Sequence, residues 1–141
     1  MPSWLVVEDE LDVNDVIVAM WHIWGVDGLA FSNGLDALDW LAELETGHSK
    51  RRSELPALAL LDIRLPGVSG IEVAQRFRKS THLTNLAIVF MTAYRLSPSQ
   101  ERALIERTAA EAVIYKPLPS MIEFKAQLDG ALAQRLFGTP A

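Results

Sequence analysis

The run of apolar residues from Ala57 to Leu61 constrains the fold more than any other segment of the chain. It ends at Asp62 and is followed by Ile63-Arg64-Leu65-Pro66-Gly67-Val68-Ser69-Gly70. Five consecutive apolar residues are typical of a short strand buried on both faces, and a Pro-Gly-rich segment continues neither a strand nor a helix. Asp62 is therefore expected at the C-terminal tip of a central strand. An ionised carboxylate costs free energy there unless it is solvated, paired or bound to a metal.

Three other short apolar runs also end at polar residues. They are residues 5–7, followed by Glu8-Asp9-Glu10; residues 86–91, followed by Thr92; and residues 112–115, followed by Lys116-Pro117. Because the carboxyl ends of parallel strands share one edge of a sheet, these polar side chains should converge with Asp62 at a single site.

Segments with helical periodicity separate the apolar runs. In the first of them the apolar residues follow the i, i+3, i+4, i+7, i+11 spacing of one helix face, and they are Val13, Val16, Ile17, Met20 and Trp24. Alternating strands and helices predict βα units with right-handed crossovers and a parallel sheet covered by helices, which is an α/β fold.

Gly, Pro and polar residues set the expected boundaries. Strands are predicted at about residues 3–8, 27–31, 57–61, 86–91 and 112–115, and helices at about 11–24, 35–46, 69–79, 98–108 and 119–136. Residues 46–54 have no apolar periodicity and are predicted to form a polar loop. A chain of 141 residues, half of them hydrophobic, is long enough to build one independent core. We therefore expect a single domain over 1–141, with its core at about 3–137 and no effector domain.

Composition excludes several kinds of protein. The chain has no cysteine, hence no disulfide framework and no thiolate metal site. It shows neither a secretory leader nor a long uncharged apolar stretch, so the prediction is a cytoplasmic protein without membrane insertion. The net charge of −5 disfavours general binding to nucleic acid.

The acidic residues at the predicted sheet edge favour a metal site. Two carboxylates about 5 Å apart repel by on the order of 3 kcal/mol at an effective dielectric constant of about 20. A divalent cation relieves this repulsion, and ligation by carboxylates, a backbone carbonyl and water is the pattern that Mg²⁺ prefers. Mg²⁺ is therefore the expected cofactor.

The acids Glu8-Asp9, then Asp62, Thr92 and Lys116-Pro117, in this order and at these strand ends, resemble a response-regulator receiver domain of two-component signalling. The segments Leu-Asp-Ile-Arg-Leu-Pro-Gly-Val-Ser-Gly and Met-Thr-Ala-Tyr strengthen the resemblance, which runs from about Trp4 to Phe137. It implies a flavodoxin-like receiver fold: a five-stranded, doubly wound parallel sheet of strand order 2-1-3-4-5 with five helices. It also implies a stand-alone phosphoprotein that catalyses only its own phosphorylation and dephosphorylation.

The resemblance also assigns roles to residues. Asp62 is the implied phosphoacceptor; Asp9 and Asp62 are implied direct ligands of Mg²⁺, Glu8 acts through water, and the backbone carbonyl of Arg64 completes the set. The remaining implied roles are phosphate binding and switching for Thr92, Ala93 and Lys116, a cis peptide bond before Pro117, and control of the phosphoryl lifetime by Arg64 and Tyr94.

The same resemblance implies partners. The phosphoryl group would come from a histidine kinase or a histidine phosphotransfer protein, and the downstream protein is not identified by the sequence. Leu11, Val18 and Trp21 fall off the apolar stripe of the first helix; they form either the partner-docking surface that the resemblance implies for this helix or a packing contact under a neighbouring loop. The sequence leaves the oligomeric state open, a homodimer included.

Two features depart from the family pattern. An aromatic residue is usual three positions before the lysine, where this chain has Val113; its aromatic residue is Tyr115. Ala109-Ala110 replaces the common Gly-Ala before the fifth strand. The role of an aromatic residue in the usual switch is therefore left undecided for this chain.

Two alternative functions are compatible with parts of the sequence. One is a receiver-like interaction module that acts without phosphorylation. The other is a haloacid-dehalogenase-like phosphohydrolase, which needs a second Asp two positions after the nucleophile. This chain has Arg64 at that position, so the sequence disfavours the hydrolase.

Overall fold

A computed structural model describes residues 1–47 and 55–138 of the chain. Five strands and five helices alternate along it. The strands are β1 (Ser3–Val7), β2 (Asp27–Phe31), β3 (Leu58–Asp62), β4 (Ala87–Thr92) and β5 (Ala112–Tyr115); the helices are α1 (Leu11–Ile23), α2 (Gly34–Glu45), α3 (Gly70–Arg78), α4 (Pro98–Thr108) and α5 (Met121–Phe137). A short 3₁₀ turn at Thr81–Leu83 was not predicted. Most of the predicted polar loop, residues 48–54, lies outside the described residues.

The five strands form one parallel sheet in the order β2-β1-β3-β4-β5. This order confirms the predicted fold. The strand β3 is central and every one of its residues is buried. All strand C-termini meet at one edge of the sheet, where Asp62 and Thr92 end β3 and β4, and Glu8 and Lys116 directly follow β1 and β5.

Each face of the sheet packs against its own set of helices. Along β3, Leu58 and Leu60 belong to the core under α1 and α5, whereas Ala59 and Leu61 belong to the core under α2, α3 and α4. Alternate side chains of one strand therefore fill two separate cores, which explains why the run 57–61 is apolar throughout instead of alternating.

Side-chain caps begin four of the helices close to where they were predicted. The side chains of Asn33, Ser69, Ser97 and Ser120 each accept a hydrogen bond from a backbone N–H in the first turn. Two of these caps are reciprocal capping boxes, with Glu72 at the start of α3 and Gln100 at the start of α4. Among the described residues, no helix combines the length and apolar character that crossing a membrane requires.

Helix α1 buries most of the predicted face, since Ile17 is buried and Val13, Met20 and Trp24 pack partly buried against the same core, but the prediction is wrong at Val16 and Trp21. Its buried residues are Asn14, Ile17 and Trp21. Trp21, expected on the outer side, is fully buried and packs edge-on against Trp4, with ring centroids 5.3 Å apart. Val16, expected in the core, is 53% exposed. The pattern of apolar residues missed part of the buried face because it gives no signal for a buried polar residue such as Asn14.

Candidate functional site

The C-terminal edge of the sheet brings together the predicted acidic residues. The carboxylates of Glu8, Asp9 and Asp62 each offer an oxygen, and these oxygens all lie within 4.8 Å of one another. Glu8 and Asp62 are buried, whereas Asp9 is exposed. Short β1 and β3 place these groups side by side because the two strands are hydrogen-bonded neighbours, with Val7 opposite Leu61.

Lys116 reaches into this cluster from the end of β5. Its Nζ lies 2.5 Å from Oε1 of Glu8 and 2.9 Å from Oδ2 of Asp62, with Glu10 further away at 3.7 Å. Burial lowers the pKa of Lys116, but the hydrogen bonds to Glu8 and Asp62 outweigh it and raise the pKa to about 12. Lys116 is therefore a permanent positive charge of the site.

The two oxygens of Asp62 both have hydrogen-bond donors. Oδ1 accepts a bond from the backbone N–H of Arg64 at 3.1 Å, and Oδ2 accepts the bond from Lys116. The start of α3 also contacts this residue, since a Cβ on Gly70 would run into the backbone carbonyl of Asp62. The phosphoacceptor candidate is thus fixed by its own loop, by β5 and by α3.

Glu8 is completely buried beside a second carboxylate. Burial is the main cause that raises its pKa to about 7; the hydrogen bond from Lys116 opposes the rise, and the nearby Asp62 adds to it. Ionised Glu8 is therefore costly in the metal-free protein, and a cation placed among the carboxylates would relieve that cost.

The charges of the site match a divalent cation. With the three carboxylates ionised and Lys116 protonated, the four groups sum to −2. Their donor atoms are hard oxygens, which suit Mg²⁺. The backbone carbonyl of Arg64 stays a predicted further ligand of the ion.

Thr92 lies at the end of β4, next to β5 in the sheet. It is buried, and its hydroxyl accepts a hydrogen bond from the backbone N–H of Tyr94 at 3.1 Å. Ala93 beside it is exposed. On the other side, the backbone N–H of Lys116 donates to the carbonyl of Thr92 at 2.8 Å. The Lys116–Pro117 peptide bond is cis, as the resemblance implies.

The loops after β3 and β4 meet through side chains. The Arg64 guanidinium stacks on the ring of Tyr94, and the next residue along the chain, Arg95, lies over the ring of Tyr115 with its Cζ 4.4 Å from the centroid. Neither pair was foreseen, because a sequence does not show which exposed side chains will stack.

Sequence reasoning also missed Asn14. Its buried amide donates to main-chain oxygens at the ends of β1 and β2. The available signal was an amide side chain in the first turn of a helix that follows the acidic motif. Of the predicted docking residues, Leu11 is 64% exposed and Val18 half-buried, whereas buried Trp21 has no surface to offer.

Most of the chain matches a known family of proteins. Residues 4–128 match the response regulator receiver domain family. The polar-differentiation response regulators DivK of Brucella anthropi and Brucella ovis are 35% identical to the chain over 127 residues, covering 86% of it and 90% of each relative.

Solved structures show the same fold. A response regulator receiver protein from Burkholderia phymatum superposes with a TM-score of 0.74 at 24% identity, covering 94% of this chain and 96% of that one. A CheY-like receiver domain protein from Methanospirillum hungatei gives 0.74 at 20% identity, covering 96% and 97%. The family match over most of the chain and the site at its sheet edge lead to one conclusion: this protein belongs to the response regulator receiver domain family.

Proposed function

We propose that the protein accepts a phosphoryl group on Asp62, with Mg²⁺ bound beside it, and then changes its affinity for a protein partner. The observation that carries the proposal is the cluster of three carboxylate oxygens within 4.8 Å, with Lys116 in ion pairs with two of the three groups. Two of these carboxylates are buried, which costs free energy of folding, and groups kept at such a cost are typical of functional sites such as those for phosphoryl transfer.

The donor is a phosphohistidine of a histidine kinase or of a phosphotransfer protein. An oxygen of the Asp62 carboxylate attacks phosphorus, the P–N bond to the donor imidazole breaks, and an acyl phosphate forms. Bound Mg²⁺ supplies positive charge to the phosphoryl oxygens. Glu8, Asp9 and Asp62 would hold it, with the Arg64 backbone carbonyl as a further ligand.

The chain's own groups position the transferred phosphoryl group. Lys116 would offer its ammonium, a compact positive charge, to a phosphoryl oxygen. Thr92 offers its hydroxyl from the neighbouring strand, and the exposed Ala93 leaves room for the group at the loop. A shift of Thr92 toward the phosphate would move the loop that contains Tyr94 and Arg95.

A surface next to the site suits the phosphodonor. A cavity of about 570 Å³ lies beside Lys116, and its apolar lining includes Val13, Val16, Pro117 and Leu118. Leu11 is exposed on the same helix, α1. We propose this surface for docking of the phosphodonor in place of the one that included Trp21.

The test is labelling by acetyl phosphate, followed by intact-mass spectrometry. Wild-type protein with Mg²⁺ should gain one phosphoryl group, and Asp62→Asn should gain none because an amide is not the required nucleophile. Equal labelling of the two proteins would refute Asp62 as the acceptor. An unlabelled wild type would favour a receiver that interacts without phosphate.

Metal binding has its own test. Mg²⁺ should raise the melting temperature of the wild type by mass action. Asp9→Ala should abolish most of this gain and Glu8→Ala less of it. Equal gains in all three proteins would place the ion elsewhere.

A further inference from the structure

Asn14 has an unusual place for a polar side chain. It lies in the first turn of α1, faces the core and is 6% exposed. Its Nδ2 donates to the carbonyl oxygen of Glu8 at 3.0 Å and to that of Phe31 at 3.0 Å. The amide therefore joins the main chain just after β1 to the end of β2, and it does so at the residue where the acidic loop begins.

The loop from Glu8 to Glu10 is held by few other bonds. The backbone N–H of Glu8 donates to Phe31 O at 3.1 Å, and that of Glu10 donates to the Glu8 side chain at 3.2 Å. Glu10 stands at the N-cap of α1 but its side chain makes no capping hydrogen bond. Helix α1 thus begins without the side-chain capping hydrogen bond that the other four helices have. Asn14 instead ties its first turn to the sheet by hydrogen bonds on the buried face.

The hydrogen bond to the Glu8 carbonyl also restrains the main chain of Asp9. A peptide unit is planar, so the carbonyl of Glu8 lies in one rigid plane with the N–H and Cα of Asp9. A donor that holds this carbonyl in place therefore also holds the N–H and Cα of Asp9 in place. Asp9 is exposed and no hydrogen bond of its own side chain is found in the described structure, so its orientation depends on its main chain.

We propose that Asn14 is a positioning residue for the metal site, which sets the direction of Asp9 relative to Asp62. This inference rests on the proposed Mg²⁺ binding. Groups that orient ligands from behind change metal affinity by about 10–100-fold when they are removed. We expect a loss at the lower end of this range because Glu8 N–H still ties the loop to β2.

The experiment is a Mg²⁺ titration followed by ¹⁵N–¹H NMR, which gives the dissociation constant from the folded molecules alone. Asn14→Leu keeps the size of the side chain and removes both donors, and it should weaken Mg²⁺ binding about tenfold or more. Asn14→Gln keeps the amide and should recover part of the affinity. Should the leucine variant fail to fold, Asn14→Ser takes its place, because it retains a single donor and should weaken binding to a smaller extent.

Thr108→Val is the matched control. Thr108 is also buried in a helix, and its hydroxyl donates to Leu104 O at 2.8 Å, at the opposite end of the molecule. The control variant loses a buried hydrogen bond, but its Mg²⁺ affinity should stay within twofold of wild type. A structural role alone would destabilise both variants and leave both affinities unchanged, which would overturn the inference.

The same titration separates this inference from the proposed function. Wild-type protein that binds no Mg²⁺ would refute the proposed function, and the inference with it. Wild-type and Asn14→Leu proteins that bind Mg²⁺ equally well would refute only the role of Asn14. Without metal, the leucine variant should also exchange the amide proton of Glu10 faster than wild type, because its loop is less restrained.

Discussion

The guanidinium carbon of Arg64 lies 3.8 Å from the centroid of the Tyr94 ring. These residues stand two positions after Asp62 and two after Thr92, so the stack joins the loops that follow β3 and β4. Both side chains are exposed, Tyr94 by 56%. In the proposed function, this stack would lie beside the path by which a water attacks an acyl phosphate on Asp62.

The stack predicts a long-lived phosphorylated state. Arg64→Asn and Tyr94→Ala should each speed loss of phosphate several-fold, because an exposed cation–π pair contributes about 0.5–1 kcal/mol and either change frees the remaining side chain. The double variant should add little to the faster single one. Decay of the phosphorylated protein, followed by intact mass, gives these rates.

Arg102, exposed on α4, offers a control, and its change to Asn should leave the decay rate as it is. Unchanged or slower decay in the double Arg64/Tyr94 variant would refute shielding. Additive effects of the two single changes would show that the residues act separately and not as a stack.

Burial of Glu8 predicts a dependence of stability on pH. Its pKa is about 7 in the folded, metal-free protein and near 4.5 in the unfolded chain, so the folded state binds more protons between these values. The free energy of unfolding should therefore fall as pH rises from about 4.5 to 7, by on the order of 3 kcal/mol. Urea titrations in EDTA, compared with Glu8→Gln, isolate this contribution; matching pH profiles of the two proteins would contradict it.

Mg²⁺ affinity should change with pH in the opposite direction. Protons and the metal compete for Glu8, so binding should tighten about tenfold between pH 6 and pH 8. Glu8→Gln should bind more weakly and with little pH dependence over this range. Calorimetric titration at both pH values measures the effect, and equal pH dependence in wild type and variant would assign the proton to another group.

Two glycines in helices should respond to alanine in opposite ways. Gly70→Ala should cost about 1–3 kcal/mol of stability, because the added methyl group meets the Asp62 backbone. Gly130 in α5 is exposed and has no atom within 4 Å of such a group, so Gly130→Ala should gain about 0.5–1 kcal/mol. Urea denaturation gives both values. Weaker phosphorylation in Gly70→Ala, but not in Gly130→Ala, would follow from displacement of Asp62.

The stack of Arg95 on Tyr115 predicts that a conformational change at the site is transmitted to β5, at the edge of the sheet. Tyr115 is the register partner of Thr92, and Val113 occupies the position where an aromatic residue is usual. With Mg²⁺ and beryllofluoride as a phosphoryl mimic, Arg95→Met should lose the NMR shift changes of β5 but keep those of Asp9 and Asp62. Tyr115→Phe retains the ring and should respond like wild type. Full β5 responses in Arg95→Met would contradict this prediction.

The fold could be predicted from local signals that agree with one another. Apolar runs marked the strands, and residues such as Ser69, Ser97 and Pro98 marked helix starts to within one or two positions. The buried face of α1 could be predicted only in part, since Asn14 is buried for its hydrogen bonds and not for its hydrophobicity. Apolar periodicity then pointed to Val16, although Trp21 fills the core.

The membership of the site was predictable, but its bonding was not. Parallel strands bring Glu8, Asp62 and Lys116 to one edge whatever their separation in sequence. Lys116 was predicted to bind a phosphate, and nothing in the sequence indicated its ion pairs with Glu8 and Asp62. Such pairing depends on distances of a few ångströms, which the order of residues along a chain does not specify.

The described site takes its side chains from the ends of β1, β3, β4 and β5, so no continuous piece of the chain contains it. A fragment that stopped before β3 would have Glu8 and Asp9 but neither Asp62 nor Lys116. Any ligand of the cluster therefore binds the finished sheet and not its parts. Occupancy of the site should vanish together with the whole fold during denaturation, so the proposed metal would report how cooperative that transition is.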